Sequence, residues 1–294
     1  MNKKPLIVAC IPAYNKEETI AKVVIQTQRY VDRVFVCDDG STDFTAEIAK
    51  RVGATVIEHE KNMGKGAALR SLFRASMELN PDVVVTLDAD LQHDPQEIPK
   101  ILQPILNQEA SMVIGSRSLN KERTPLYRRF GNCVLDKLTN MGSGRNASDT
   151  QSGFRAYSRE ALTKIKISDD GIGVDSQILM DASRKNLSIA EVPITTIYGK
   201  NTSTFNPVRH GLSVLISIGK FVFFRKPLYI GIPGLIILSV GGGLFGYLLH
   251  LYNATRYFSV PIALIGITLV ILGMLLLITT IILYAIKNLL NEIK

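Results

Sequence analysis

The stretch PLIVACIPAYNKEETIAKVVIQTQRYVDRVFVCDDGSTD (5–43) decides the fold. It opens on a short apolar run (6–11), turns through a polar segment, continues with apolar residues at helical period (17–30), and returns to a second apolar run (33–37) closed by two aspartates. The rhythm persists downstream. Strand-like runs recur at 54–58, 82–87 and 111–115, and helix-like runs at 42–52, 63–79 and 95–107. This alternation predicts an α/β fold with a mostly parallel sheet and helices on both faces. Such sheets bind ligands beyond the carboxyl ends of their strands, so chemistry is expected in the segments that follow each strand.

Four of those segments are polar: IPAYNKEE (11–18), DDGSTD (38–43), NMGKGAA (62–68) and DADLQH (88–93). In the last, Asp88, Asp90 and Gln92 alternate, and an extended backbone would point their side chains to one side. Two carboxylates and an amide oxygen suit Mg²⁺ or Mn²⁺, with positions left for phosphate oxygens and water. Aspartate is also a common turn former, and Asp94-Pro95 reads as a helix start, so the position at the binding edge is what favours a metal site. Asp38 and Asp39 are adjacent carboxylates that require donors from a ligand or from backbone amides. Asn62 to Gly66 opens a helix with two glycines and Lys65, a combination suited to a diphosphate, although it lacks the spacing of a P-loop.

The chain has 294 residues, net charge +8, 20% charged side chains and no tryptophan. Its mean hydropathy of +0.16 is high for that charge content and points to two unlike parts. Residues 228–255 and 257–286 contain no Asp, Glu, Lys or Arg. Each run exceeds the roughly 20 residues needed to cross a bilayer, which predicts membrane helices at 228–252 and 259–286. Gly241, Gly242 and Gly243 fit close helix packing there, and the same glycine-rich span offers a surface for a homo-oligomer. Arg225 and Lys226 precede the pair, Lys287 and Lys294 follow it, and the loop holds only Arg256, so both ends are expected in the cytoplasm. The expected organisation is a cytoplasmic catalytic domain (1–205), a basic amphipathic helix lying along the membrane (206–227), the hairpin (228–287) and a short cytoplasmic tail (288–294). The apolar run after residues 1–5 is too short for a signal peptide. Cys10, Cys37 and Cys133 have no metal-ligand spacing and read as reduced, buried residues. No nucleic-acid-reading motif accompanies the basic charge, which anionic lipid or lipid phosphate explains more simply.

Taken in order, these motifs with Ser116-Arg117, DTQSGFRAYSRE (149–160) and Gly173-Val174-Asp175 resemble the inverting glycosyltransferases of family 2, which have the GT-A (Rossmann-like) fold. Within that family the chain is most similar to the dolichyl-phosphate mannose synthase branch and related polyprenyl-phosphate glycosyltransferases, over about residues 1–225. The resemblance implies a metal-dependent transfer of a hexose from a GDP- or UDP-sugar to dolichyl or polyprenyl phosphate at the cytoplasmic leaflet of a cell or ER-type membrane. Mannose is favoured, with glucose and N-acetylglucosamine open. The nucleotide-sugar site is expected to take in Pro12, Ala13, Tyr14, Asn15, Glu17, Asp38, Asp39, Lys65, Asp88 and Ala89. Asp88 and Asp90 match the family's metal motif, with Gln92 as a further ligand. Arg117, with Arg128 or Arg129, matches the residues that receive the lipid phosphate, and Ser152, Gly153 and Arg155 match the acceptor-side loop. Lys200 and Ser203 stand nearest to an arginine and a serine of a loop that closes over the diphosphate, a departure that leaves the donor open. The expected catalytic set is therefore Asp90, Arg117, Arg129, Ser152, Arg155 and Lys200, and Asp175 matches a later carboxylate with an acceptor-side or structural role. A phosphate monoester, with its second pKa near ~6, is already mostly ionised at neutral pH and needs no dedicated base. Processive polysaccharide synthases carry a Gln-x-x-Arg-Trp motif, which a chain without tryptophan lacks. A non-catalytic scaffold built on the same domain would be expected to lose Asp88, Asp90, Gln92 or Arg117.

Overall fold

The computed structural model describes residues 4–117, 136, 139, 140, 147–171, 173–195 and 227–292. The chain divides into two compact units, 1–218 and 219–294. In the first, β1 (Ile7–Ala13), α1 (Glu17–Thr27), β2 (Arg33–Asp38), α2 (Thr45–Arg51), β3 (Thr55–Glu58), α3 (Lys65–Met77) and β4 (Val83–Thr86) alternate as expected. A 3₁₀ turn (Pro95–Glu97), capped by the Asp94 side chain on Gln96 N–H, leads into α4 (Ile98–Leu106) and then β5 (Met112–Ser116). All five strands and four helices read from the sequence are present, with bounds that differ by a few residues.

Four later elements complete the unit: β6 (Arg155–Ser158), α5 (Arg159–Lys164), α6 (Val174–Arg184) and β7 (Ile189–Pro193). Among the described residues the sheet has seven strands in the order β3-β2-β1-β4-β6-β5-β7. It is mostly parallel, with β6 antiparallel to both β4 and β5. Strand alternation sends side chains to two cores. Ile7, Ala9 and Ile11 of β1 join α1 and α4 on one face, whereas Val8 and Cys10 join Leu69 and Leu72 of α3 with Ile178 of α6 on the other. Both faces are buried, which is why the strands read as continuous apolar runs. The strand order runs outward from β1 to β3, then resumes on the other side of β1 with β4. The carboxyl ends of β1 and β4 therefore flank a topological switch point, the crevice where open α/β sheets place ligands.

The second unit pairs α7 (Leu228–Thr255) with α8 (Val260–Glu292), two helices long and apolar enough to cross a membrane. They pack closely through glycines of both. A Cβ at Gly241 would lie 2.9 Å from Val270, and one at Gly273 2.6 Å from the backbone of Leu238. Gly241 thus serves the hairpin's own interface. Of the expected amphipathic helix (206–227), residues 206–226 lie outside the described residues, as do Cys133, Arg128, Arg129, Lys200 and Ser203.

Candidate active site

Strand β4 ends at Thr86, so Asp88 to Gln92 form a turn rather than the extended segment expected from their alternation. Leu91 takes a left-handed conformation at φ +62°, and Gln92 N–H donates to Asp90 Oδ1 at 3.1 Å. From α1, Thr19 Oγ1 donates to Ala89 O at 2.6 Å. The turn is held from below by His93, which is buried, stacks on Phe154 at 5.2 Å and accepts the Asp88 N–H at Nδ1 (3.3 Å). Burial lowers the His93 pKa to about 4, keeping the ring neutral and its Nδ1 lone pair available.

The two carboxylates of the turn are electrostatically unlike. Burial disfavours the charged form of Asp88, but Lys65 and then His93 hold it well below the usual carboxylate range. Asp90 is raised to about 6, first by burial and then by the charge of Asp88. An ionised pair with one member this destabilised is a donor set that a divalent cation would relieve. Among the described residues no cluster of three or more His, Cys, Asp or Glu is arranged to hold a metal ion, so a cation here would take two carboxylates and draw its remaining ligands from water or phosphate, as Mg²⁺ commonly does.

The donor-side loops are clasped to one another. Thr42 N–H donates to Asn15 Oδ1 (2.9 Å), Asn15 N–H to Ser41 Oγ (2.8 Å), Phe44 N–H to Glu17 Oε2 (3.1 Å) and Glu17 N–H to Asp43 Oδ2 (3.1 Å). Asn15 and Glu17 thus fix the loop after β1 against the loop after β2. Asp38 accepts from Ser41 Oγ, and burial raises its pKa. Asp39 accepts three donors, Met63 N–H (2.9 Å), Gly64 N–H (2.7 Å) and His59 Nδ1 (2.7 Å), which answers the expected need for backbone amides. Pro12 and Ala13 close β1, and the Tyr14 ring beyond them remains 39% exposed.

One expectation is corrected at the start of α3. Gly66 and Ala67 N–H donate to Asp170 O at 2.9 and 3.4 Å, so these amides face a carbonyl of the loop before α6 instead of a diphosphate. Gly64, at φ +98°, and Gly66 are glycines because that loop lies against them: a Cβ would fall 2.2 Å from Asp170 O and 1.8 Å from Asp169 O respectively. Lys65 turns away from the helix end to bridge Asp88 and Asp175.

On the acceptor side, Arg117 follows β5 and is locked to buried Asp149 by two guanidinium bonds (2.7 and 2.8 Å). Arg155 and Ser152 are fully buried. The Arg155 guanidinium donates to Ser152 O, Asp175 O and Thr150 O, each at 2.7 Å, so it frames the loop. Ser152 Oγ faces Phe154 N–H at 3.4 Å. Both were expected to be catalytic, and in the fold both lie buried within this loop. Asp149, Asp136 and Thr19 were not singled out by sequence reading, although Asp149 opens the DTQSGFR motif. Asp136 accepts from Thr150 N–H and Oγ1 and is raised to about 6 by burial. Cys10 and Cys37 are free and buried, with thiols pushed up to about 12 by burial.

Residues 8–166 match the family model described as Glycosyl transferase family 2. The chain is 35% identical over 243 residues to the UDP-N-acetylglucosamine–dolichyl-phosphate N-acetylglucosaminyltransferase of Methanococcus voltae, covering 75% of this chain and 94% of that one. It is 34% identical over 212 residues to the dolichyl-phosphate hexose transferase of Haloferax volcanii, covering 70% and 90%. The fold is similar to that of glucosyl-3-phosphoglycerate synthase from Mycobacterium tuberculosis in complex with Mn²⁺, UDP-glucose and phosphoglyceric acid, with a TM-score of 0.60 and 26% identity over 75% of this chain and 79% of that one.

Proposed function

This chain belongs to glycosyl transferase family 2, and from that premise we propose that it transfers a hexose from a nucleotide-sugar to a dolichyl or polyprenyl phosphate. It is a glycosyltransferase whose relatives are named for transfer to dolichyl phosphate. The observation that carries the acceptor and donor reading is the juxtaposition in one fold of the Asp88–Asp90 turn at the β1/β4 switch point and an arginine after β5 held in a fixed plane by Asp149.

In this reading the clasped loops after β1 and β2 seat the nucleotide, with the exposed Tyr14 ring on their rim. Asp88 and Asp90, with Gln92, would hold Mg²⁺ or Mn²⁺, which supplies charge neutralisation for the diphosphate leaving group. Arg117, its guanidinium plane held in one orientation by Asp149, orients the acceptor phosphate; Arg129 and Lys200 are proposed as further phosphate contacts. Because the acceptor oxygen is already ionised, these residues do their work by positioning and by stabilising charge. The apolar hairpin would tether the enzyme to the bilayer that holds such a lipid, with both ends cytoplasmic by the distribution of Arg and Lys.

The test uses the purified full-length protein, a polyprenyl phosphate and a panel of labelled GDP- and UDP-sugars with Mn²⁺ or Mg²⁺. A lipid-linked product with one donor supports the reading and names the sugar. No lipid-linked product with any donor overturns it.

A further inference from the structure

Lys65 Nζ lies 2.8 Å from Asp88 Oδ1 and 2.9 Å from Asp175 Oδ2. One ammonium therefore joins the turn after β4 to the first turn of α6. The acceptor-side loop lies directly against this bridge: a Cβ added at Gly153 would fall 2.7 Å from both Lys65 Nζ and Asp88 Oδ2. Arg155 donates to the backbone carbonyl of Asp175, fixing the start of α6 against the same loop. Asp175 itself is buried, so its carboxylate faces the bridge and not bulk water.

We infer that Asp175 is a positioning residue that acts through Lys65, anchoring the ammonium whose second bond holds the Asp88 carboxylate in place for the donor complex. The inference rests on the proposed donor site. A lysine ammonium on a four-carbon stem is a mobile point charge, and it becomes a fixed one only when held from two sides. Without Asp175 the ammonium keeps Asp88 as its sole partner in the bridge and competes there with a cation. Without Lys65 two carboxylates stand close together with no charge between them. Because both losses act on the same atoms of Asp88, their effects should not add.

Mn²⁺ affinity in the presence of UDP and, separately, of GDP, read by electron paramagnetic resonance on the detergent-solubilised full chain, tests this for wild type, Asp175→Asn, Lys65→Met, the double variant and Gly153→Ala with the nucleotide that the wild type binds. Thermal unfolding of each is followed in parallel. Asp175→Asn should weaken Mn²⁺ binding by about 10–100-fold with little change in melting temperature, the range seen when residues behind a metal ligand are removed. The double variant should bind no more weakly than the weaker single one. Gly153→Ala, which intrudes on the bridge without altering charge, should also weaken binding, and it decides the matter if Asp175→Asn does not fold. Unchanged affinity in folded Asp175→Asn or in Gly153→Ala overturns the inference, as do losses that multiply in the double variant. Wild-type protein that binds Mn²⁺ with UDP or GDP but yields no lipid-linked product overturns the acceptor reading alone; absence of Mn²⁺ binding with both nucleotides overturns both.

Discussion

Arg117 and Asp149 meet through two parallel bonds, Nε to Oδ2 at 2.7 Å and Nη2 to Oδ1 at 2.8 Å, and the backbone N–H of Arg117 adds a third to Oδ2 at 2.9 Å. Two-point pairing fixes the plane of the guanidinium as well as its position. The arginine thereby presents a set direction to whatever anion approaches it.

Asp149→Asn should raise the KM for polyprenyl phosphate by roughly tenfold or more while leaving the KM for the nucleotide-sugar near the wild-type value, as the loss of a charged hydrogen-bond partner implies. Steady-state kinetics with each substrate varied in turn checks this split. The pair also contributes to acid stability. Burial opposes the Asp149 charge, yet Arg117 holds its pKa below the usual carboxylate value. Its contribution is complete above the unfolded pKa of about 4 and is lost as pH falls through the lower native value. Melting curves below about pH 4 should accordingly fall less steeply for Asp149→Asn than for wild type.

Asp90 has the opposite sign. With its pKa raised to about 6 by burial and by Asp88, the folded protein binds this proton more tightly than the unfolded chain does. Cation-free stability therefore decreases as pH rises from about 4 towards 6, and the ionised group remains destabilising at pH 7. Asp90→Asn should raise the stability of the cation-free protein at pH 7 by on the order of 1 kcal/mol while abolishing transfer. A lower melting temperature for the variant would show that the ionised Asp90 is not destabilising, and retained transfer would show that Asp90 is not a metal-binding carboxylate.

Gly66→Ala tests the close approach of the loop before α6. The new Cβ would sit 1.8 Å from Asp169 O, a backbone atom that cannot rotate away. A shift of either segment should cost about 1–3 kcal/mol, in the range for overpacked sites, and chemical denaturation measures it. A substitution without effect would mean that the loop does not rest on α3.

The first five strands and four helices were legible because β1, β2, β4 and β5 carry apolar residues on two buried faces, the edge strand β3 keeps a short β-branched run, and each helix keeps one apolar stripe. Strand β6 was not. RAYS (155–158) is short and begins with a fully buried arginine, whose charge is compensated by three carbonyls that no local pattern announces. Asp88 and Asp90 were found by position after β4, although the turn geometry that presents them was not. Lys65 was singled out as a cation for a diphosphate, whereas its partners are Asp88 and an aspartate from a distant helix. Asp39, Asn15 and Glu17 illustrate the same limit. Polar residues beyond strand ends locate a ligand edge, while their division between holding loops and touching ligand depends on contacts between loops.

His93 offers a way to separate shape from hydrogen bonding beneath the Asp88–Asp90 turn. His93→Phe keeps a flat ring against Phe154 but leaves the Asp88 N–H without its acceptor, at a cost of about 1–3 kcal/mol for an orphaned donor. His93→Asn can place an oxygen near the former Nδ1 and keeps the acceptor while losing the ring contact. If the hydrogen bond governs the turn, Asn should retain more kcat than Phe, and Phe should retain more of the packing. The pH profile supplies an independent check. Burial lowers His93 to about 4, so its share of stability is complete above the unfolded pKa of about 6.5 and is lost progressively as pH falls towards 4. The melting temperature of His93→Asn should therefore fall less steeply than that of wild type as pH drops from about 6.5 towards 4, and an equal fall would show that burial of the histidine does not set this dependence.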